Sequence, residues 1–164
     1  MSRIRRSSEE GHKRKFLVVV DDTSECERAL YFASRRAKHS GGALALLHVI
    51  PPGDFQHWMG VEEIMRQEAV DTAEDILTAA KAKAERFAGI GAETIIREGN
   101  AAEEIKALVD SDEDIAILVL GAGTDKDGPG PLVSLFANRG ASAFSIPVTV
   151  VPGTLTDDEI EALS

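Results

Sequence analysis

Cysteine is nearly missing from this chain of 164 residues: Cys26 stands alone. No internal disulfide can form, which fits a reducing cytoplasm. Long apolar runs are missing too. None approaches the roughly 20 residues that span a bilayer, so no membrane segment is expected. Basic residues begin the chain with no hydrophobic stretch behind them, and no signal peptide is expected. Positive charge is in deficit, with a formal net charge of −10. What there is concentrates at the start: Arg3, Arg5, Arg6, Lys13, Arg14 and Lys15 face only Glu9 and Glu10, leaving the remainder more acidic than the total. An acidic body disfavours nucleic acid as a principal partner, since binding it takes a basic face. Residues 1–14 read as a flexible basic leader.

What is present is an alternation of strands and helices. Phe16-Leu-Val-Val-Val20 is a continuous β-branched apolar run, the pattern of a strand buried on both faces. Ser24-x-x-Glu27 reads as a capping box opening a helix with Ala29, Leu30, Ala33 and Ala37 on one face, stopped by Gly41-Gly42. Cys26 falls in its first turn, and reads first as an inert core residue and second as a reactive thiol. Ala43 to Ile50 is a second buried strand ended by Pro51-Pro52. A loop with Phe55, His57 and Trp58 follows, then a long helix from about Val61 to Ala88. Glu93 to Arg97 is shorter and more polar, as at a sheet edge. Asn100-x-x-Glu103 opens a short helix, Ile115 to Leu120 is a fourth strand, a helical pattern runs to Ile146-Pro147, and Val148 to Val151 is a fifth strand. Thr156-x-x-Glu159 caps a short helix in an acidic tail, 154–164. The fold class is therefore α/β, a doubly wound parallel five-stranded sheet in three layers, of flavodoxin or Rossmann type.

In such sheets ligands lie beyond the carboxyl ends of the strands, where the strand order reverses. Here those ends carry Asp21-Asp22-Thr23, His48 to Pro51, Gly99, and the loop Gly121-Ala-Gly-Thr-Asp-Lys-Asp-Gly-Pro-Gly130. Strand, glycine loop and helix N-terminus together make an anion nest in many α/β proteins. Other chemistries find no support. A phosphorylatable receiver needs an acceptor Asp after the third strand and a Lys after the fifth, where the chain has Arg97-Glu98-Gly99 and Val151-Pro152-Gly153. Asp21 and Asp22 are adjacent, so the dehalogenase-type Asp-x-Asp is absent. None of the four histidines has a partner at metal-ligand spacing. Ser134 and Ser142 lack a nucleophile turn. Phe55, His57 and Trp58 either stack on a purine or pack over a sheet edge or contact.

Read together over residues 14 to 152, these stretches resemble the universal stress protein family. The resemblance rests on Phe16-Leu-Val-Val-Val-Asp21 with its polar turn, Leu46-Leu-His-Val-Ile50 with trailing prolines, and Arg97-Glu-Gly-Asn-Ala-Ala-Glu-Glu-Ile105, in which Ala101 replaces the family's proline. Ile117-Leu-Val-Leu-Gly121 and Ile146-Pro-Val-Thr-Val-Val151 complete it. The resemblance implies a single domain over 15–153, strand order 3-2-1-4-5, and a cytoplasmic homodimer joined through the fifth strands. It also implies an ATP loop of Gly, two residues, Gly, nine residues, Gly, then Ser or Thr. Counted from Gly121, those positions hold Thr124, Ser134 and Leu135. With one residue deleted they hold Gly123, Val133 and Ser134. Either register loses residues that approach phosphate. A hydroxyl on a charged oxygen contributes on the order of 1.5–3 kcal/mol, so Leu135 alone would weaken binding roughly tenfold or more. Gly123, Gly128 and Gly130 are the residues able to rebuild a nest, Pro129 and Pro131 each remove a donor, Lys126 is the loop's one cation, and Asp125 and Asp127 repel phosphate. Asp21 and Val49 match the positions that hold ribose and adenine, with Asp22 and Thr23 beside them.

Two functions are thus expected, in order. The first is a non-catalytic stress-response module working through an unidentified protein partner and binding ATP weakly or not at all. The second is an adenine-nucleotide switch, for AMP or ATP with Mg, with a remodelled Gly121–Gly130 loop. A slow ATPase ranks last, since no base or metal-ligand set can be named.

Overall fold

Lys15–Val19 forms the central strand, β1, because three of its five side chains are apolar and fully covered. It pairs in parallel with β2 (Ala43–Ile50) on one side and β4 (Ile115–Ala122) on the other. The computed structural model describes residues 4–53, 61–124, 128–139 and 144–164. β3 (Ala92–Glu98) lies outside β2 and β5 (Val148–Pro152) outside β4, giving the order β3-β2-β1-β4-β5 with every described pair parallel. This is the expected doubly wound sheet, with β3 at the edge.

Alternate residues of the strands feed two cores. Phe16, Val18, Leu44, Leu46 and Val119 meet α1 (Ser24–Ser40) and α2 (Val61–Ala88) on one face. Leu17, Ala45, Leu47, Leu118 and Leu120 meet α3 (Ala101–Ser111) and α4 (Pro131–Arg139) on the other. Ala29, Ala33 and Ala37 of α1 and Ala73, Ala80 and Ala84 of α2 are buried, and small side chains let both helices sit close to the sheet. Because α1 leaves β1 on one face and α4 leaves β4 on the other, a crevice opens between the carboxyl ends of β1 and β4.

Local signals hold with three revisions. The cap of α1 is Thr23, one residue before the expected Ser24: its hydroxyl accepts from the Cys26 N–H at 3.3 Å. Gly41 ends the helix in the left-handed conformation, as expected. Asn100 caps α3 through the Glu103 N–H. The helix after the glycine loop ends at Arg139, short of Ile146, with residues 140–143 outside the described residues. The expected leader is the third revision. The Arg5 guanidinium donates to the carbonyls of Val109, Asp112 and Ile115 at 2.6, 3.0 and 3.3 Å, at the end of α3. His12 contacts Asp114 at 2.6 Å and Lys15 contacts Asp112 at 2.7 Å. Residues 5–14 are therefore tied to the α3–β4 turn.

The acidic tail helix, α5 (Asp157–Leu163), has its full capping box from Thr156 and Glu159. It packs on α1. Tyr31 donates to Glu161 at 2.8 Å, Arg28 pairs with Asp157, His39 donates to the Ser164 carbonyl at 2.9 Å, and Ile160 is 0% exposed. Ile160→Ala is expected to cost roughly 2–5 kcal/mol, as for a core site, read as a lower urea midpoint at unchanged slope. A change under about 0.5 kcal/mol would mean that α5 is a surface appendage.

Candidate functional site

β1 ends where its backbone peels away from the sheet. Val20 still donates to the Leu47 carbonyl at 2.7 Å, and the Val20 carbonyl accepts from His48 Nδ1 at 2.7 Å. A carbonyl can only accept, so that ring nitrogen carries the proton. His48 is thereby a strand-end fastener. At Asp21 the chain turns. The carboxylate accepts from both the Thr23 N–H (2.9 Å) and the Thr23 hydroxyl, forming an Asx turn that sets Thr23 up as the cap of α1. Cys26 sits under this turn, accepting from the Asp21 N–H at 3.4 Å with its Sγ 3.7 Å from the Val19 carbonyl. Burial, then neighbouring carboxylates, push its thiol up to about 12. It stays neutral at physiological pH, which supports the inert reading over the reactive one.

Across the crevice, β4 runs into the glycine loop. Gly121 lies so close to α1 that a β-carbon there would stand 2.3 Å from the Glu25 carbonyl oxygen. Beyond it the loop bonds to itself: the Gly123 N–H donates to the Pro129 carbonyl at 3.1 Å, and the Gly153 N–H to the Ala122 carbonyl at 3.0 Å. Gly130, at φ 106°, then turns the chain into α4. Pro131 is the first residue of α4, and Ser134 already donates within the helix, to Gly130 at 2.9 Å.

Between these walls lies a cavity of about 170 Å³. Val19, Leu120, Leu132 and Val133 supply apolar surface, while Asp21 and Glu25 supply carboxylates. No Lys or Arg lines it among the described residues. Glu25 has no cationic partner among the described residues, its one side-chain hydrogen bond coming from Ser24 at 3.5 Å. Its carboxylate oxygen lies 3.2 Å from where a β-carbon on Gly123 would stand, at the mouth of the loop.

Of the sequence candidates, Asp21, Thr23, Gly121, Gly130 and Val133 come together on this cavity. Asp22 instead joins Asp21 on a neighbouring cavity of about 280 Å³ against α2, with Lys83 on its wall. Val49, on β2, is half-buried against the core of the α3 face and does not line this cavity. Gly123 and Gly128 meet each other across the loop, with the Gly128 carbonyl 2.9 Å from the position of a Gly123 β-carbon. Thr124 is exposed beside Gly153, and Ser134 and Leu135 are half-buried on α4 without lining the cavity. Asp125, Lys126 and Asp127, the aromatic loop with Phe55, His57 and Trp58, and Ser142 lie outside the described residues. Sequence reasoning passed over Glu25, although an acidic residue in the first turn after a crevice-lining strand was the signal for it. Among the described residues no group of His, Cys, Asp and Glu is arranged to hold a metal.

The universal stress protein family model matches residues 13–152. No curated protein matches the chain at a significant level. Solved structures match in fold. UspA from Lactobacillus plantarum superposes at TM-score 0.68 with 17% identity, covering 84% of this chain and 97% of its own. The Archaeoglobus fulgidus universal stress protein in complex with dAMP gives 0.62 and 19%, covering 84% and 97%. An Arabidopsis thaliana family protein with AMP bound gives 0.56 and 20%, covering 85% and 91%.

Gly121 is needed for the contact of β4 with α1 whether or not a ligand binds. Gly121→Ala is expected to cost about 1–3 kcal/mol, the usual range for overpacking a close contact, in thermal or urea unfolding without ligand. A neutral result would mean that the close approach is not native.

Proposed function

The chain belongs to the universal stress protein family, and on that premise we propose that it is a non-catalytic stress-response module that binds ATP weakly or not at all and works through protein contacts. The observation that carries this reading is the charge of the crevice. Asp21 and Glu25 line the cavity, no Lys or Arg lines it among the described residues, and the Gly123 N–H is already committed to Pro129. A triphosphate with its magnesium does not fit this set of residues. Like charges in a half-desolvated site cost several kcal/mol, and each donor withheld from a charged oxygen forgoes about 1.5–3 kcal/mol.

A second reading is an adenine-mononucleotide switch. It is favoured by α4, whose first turn, at Leu132 and Val133, faces the cavity, since early N–H groups of a helix attract a single phosphate. The dAMP and AMP complexes of relatives lend it support. The two readings separate in calorimetry with MgATP and with AMP up to millimolar ligand. The first predicts no saturable heat with MgATP. A site at one per chain with micromolar affinity for MgATP would sink it, and one for AMP alone would favour the switch.

The oligomer proposed is a cytoplasmic homodimer through β5, an edge strand whose Val148, Thr149 and Val150 are half-buried in the single chain. An uncovered edge of this kind invites pairing. Light scattering should give twice the chain mass, and Thr149→Lys should shift the population to monomer. A monomeric native protein would refute the dimer.

A further inference from the structure

Helix α2 is longer than the strands it packs on. Its 28 residues span about 42 Å, whereas β2 and β3, of eight and seven residues, span about 23–26 Å. The excess lies at the start of the helix. Arg66 reaches Glu98, the last residue of β3, at 3.6 Å, so the turn before Arg66 stands past the end of the sheet. The apolar stripe of the helix nevertheless continues into that turn. Val61, Met65, Ala69, Ala73, Leu77 and Ala80 follow one another at helical spacing. Exposure falls from 46% and 42% at Val61 and Met65 to 0% and 3% at Ala73 and Leu77, and Ile64, beside Met65, is 61% exposed. The other large apolar side chains exposed among the described residues, Ile4 and Leu163, stand singly near the ends of the sequence. One half of the stripe is core and the other half has no partner among the described residues, the pattern of an interaction face.

Charge decides what fits this face. Glu62, Glu63, Glu68, Asp71, Glu74 and Asp75 are all exposed on the same part of the helix. Arg66 is the one cation there, 3.6 Å from both Glu62 and Glu98. A second copy of this chain would set these carboxylates against their like, in a protein of net charge −10. A helix with leucine-like residues on one face and Lys or Arg along its edges meets both features at once. We propose that the first turns of α2, at Val61, Ile64 and Met65, are a docking face for a basic amphipathic helix of a partner protein. The proposal rests on the reading that this chain works through protein contacts, and gives that reading a surface and a partner chemistry.

The probe is a fluorescein-labelled peptide of about 18 residues, made of Leu and Lys with leucines at helical spacing, followed by fluorescence anisotropy. A Leu/Glu peptide of the same pattern is the control. Three apolar side chains make a small contact, so the native chain should bind the Leu/Lys peptide with micromolar affinity and the Leu/Glu peptide at least tenfold more weakly. Ile64→Ser with Met65→Ser should lose about fivefold or more at every salt concentration. Glu63→Lys with Glu68→Lys should lose about tenfold at low salt, and that loss should shrink as ionic strength rises from about 0.01 to about 0.15 M. Glu10→Lys with Glu85→Lys, the same change of charge away from the face, should stay within about threefold of native. All these positions are exposed, and melting curves verify that the variants fold.

No binding of the Leu/Lys peptide, or an equal loss in the two charge-reversal pairs, overturns the proposal, because attraction is then absent or diffuse. Two other occupants would overturn it as well. A fall in native mass by light scattering in the serine pair would assign the face to a second copy. A red shift of the emission of Trp58, the sole tryptophan, in the serine pair without peptide would assign it to residues 54–60 of the same chain. Each of these results leaves the weak-ATP reading standing, since that reading is decided by titration with MgATP.

Discussion

The contact on which the site depends is backbone against backbone: Gly121 at the end of β4 against the Glu25 carbonyl in the first turn of α1, with no room for a β-carbon between them. A parallel sheet wound in both directions needs its first helix to descend beside the strand that reverses the order, and the closer the approach, the narrower the crevice left above. That one contact sets the width of the cavity and gives Gly121 a packing role. A glycine in a nucleotide-like loop is thus no witness to a nucleotide when the helix opposite already requires it.

Two electrostatic influences meet in the crevice. The N-terminus of α4 offers partial positive charge, roughly half an elementary charge spread over its free N–H groups, and Pro131 has none to give. Against it stand full charges on Asp21 and Glu25. A half charge at a helix end is smaller than the charge of the two carboxylates that line the same cavity. Asp21 spends part of its capacity on Thr23, which leaves Glu25 as the larger unshielded contribution.

The fold was legible because its signals are strong and local. Uninterrupted apolar runs gave the buried strands, Gly41 and Asn100 marked helix ends, and the polar run at residues 93–97 marked an edge. The cap of α1 was misplaced by one residue because Thr23 and Ser24 are both able to cap. The choice turns on the Asp21 carboxylate, which binds Thr23, and no pattern of spacing reports that. The site was half legible. Motif registers steered attention to Thr124, Ser134 and Leu135, which do not line the cavity, and away from Glu25, which does. Register counting follows the chain, whereas the crevice is assembled across it. Val49 shows a related limit: a strand end reads the same whether its side chain faces a ligand or the core.

The C-terminal capping box was legible, whereas the N-terminal residues were expected to be flexible. Charge density suggested a free leader, yet charged residues also make good fasteners when backbone carbonyls or opposite charges lie within reach, as Arg5 does at the end of α3. The C-terminal fastening matters more for the crevice. Arg28, Tyr31 and His39 lie along α1 and each holds α5, while Tyr31 also packs on Phe87 of α2 at 4.5 Å between ring centres. α1 is therefore held on three sides, by the sheet, by α2 and by α5. A helix so held keeps the Glu25 carbonyl against Gly121, so the width of the crevice depends on the fastening of α1 by α5 and α2 as well as on the sheet.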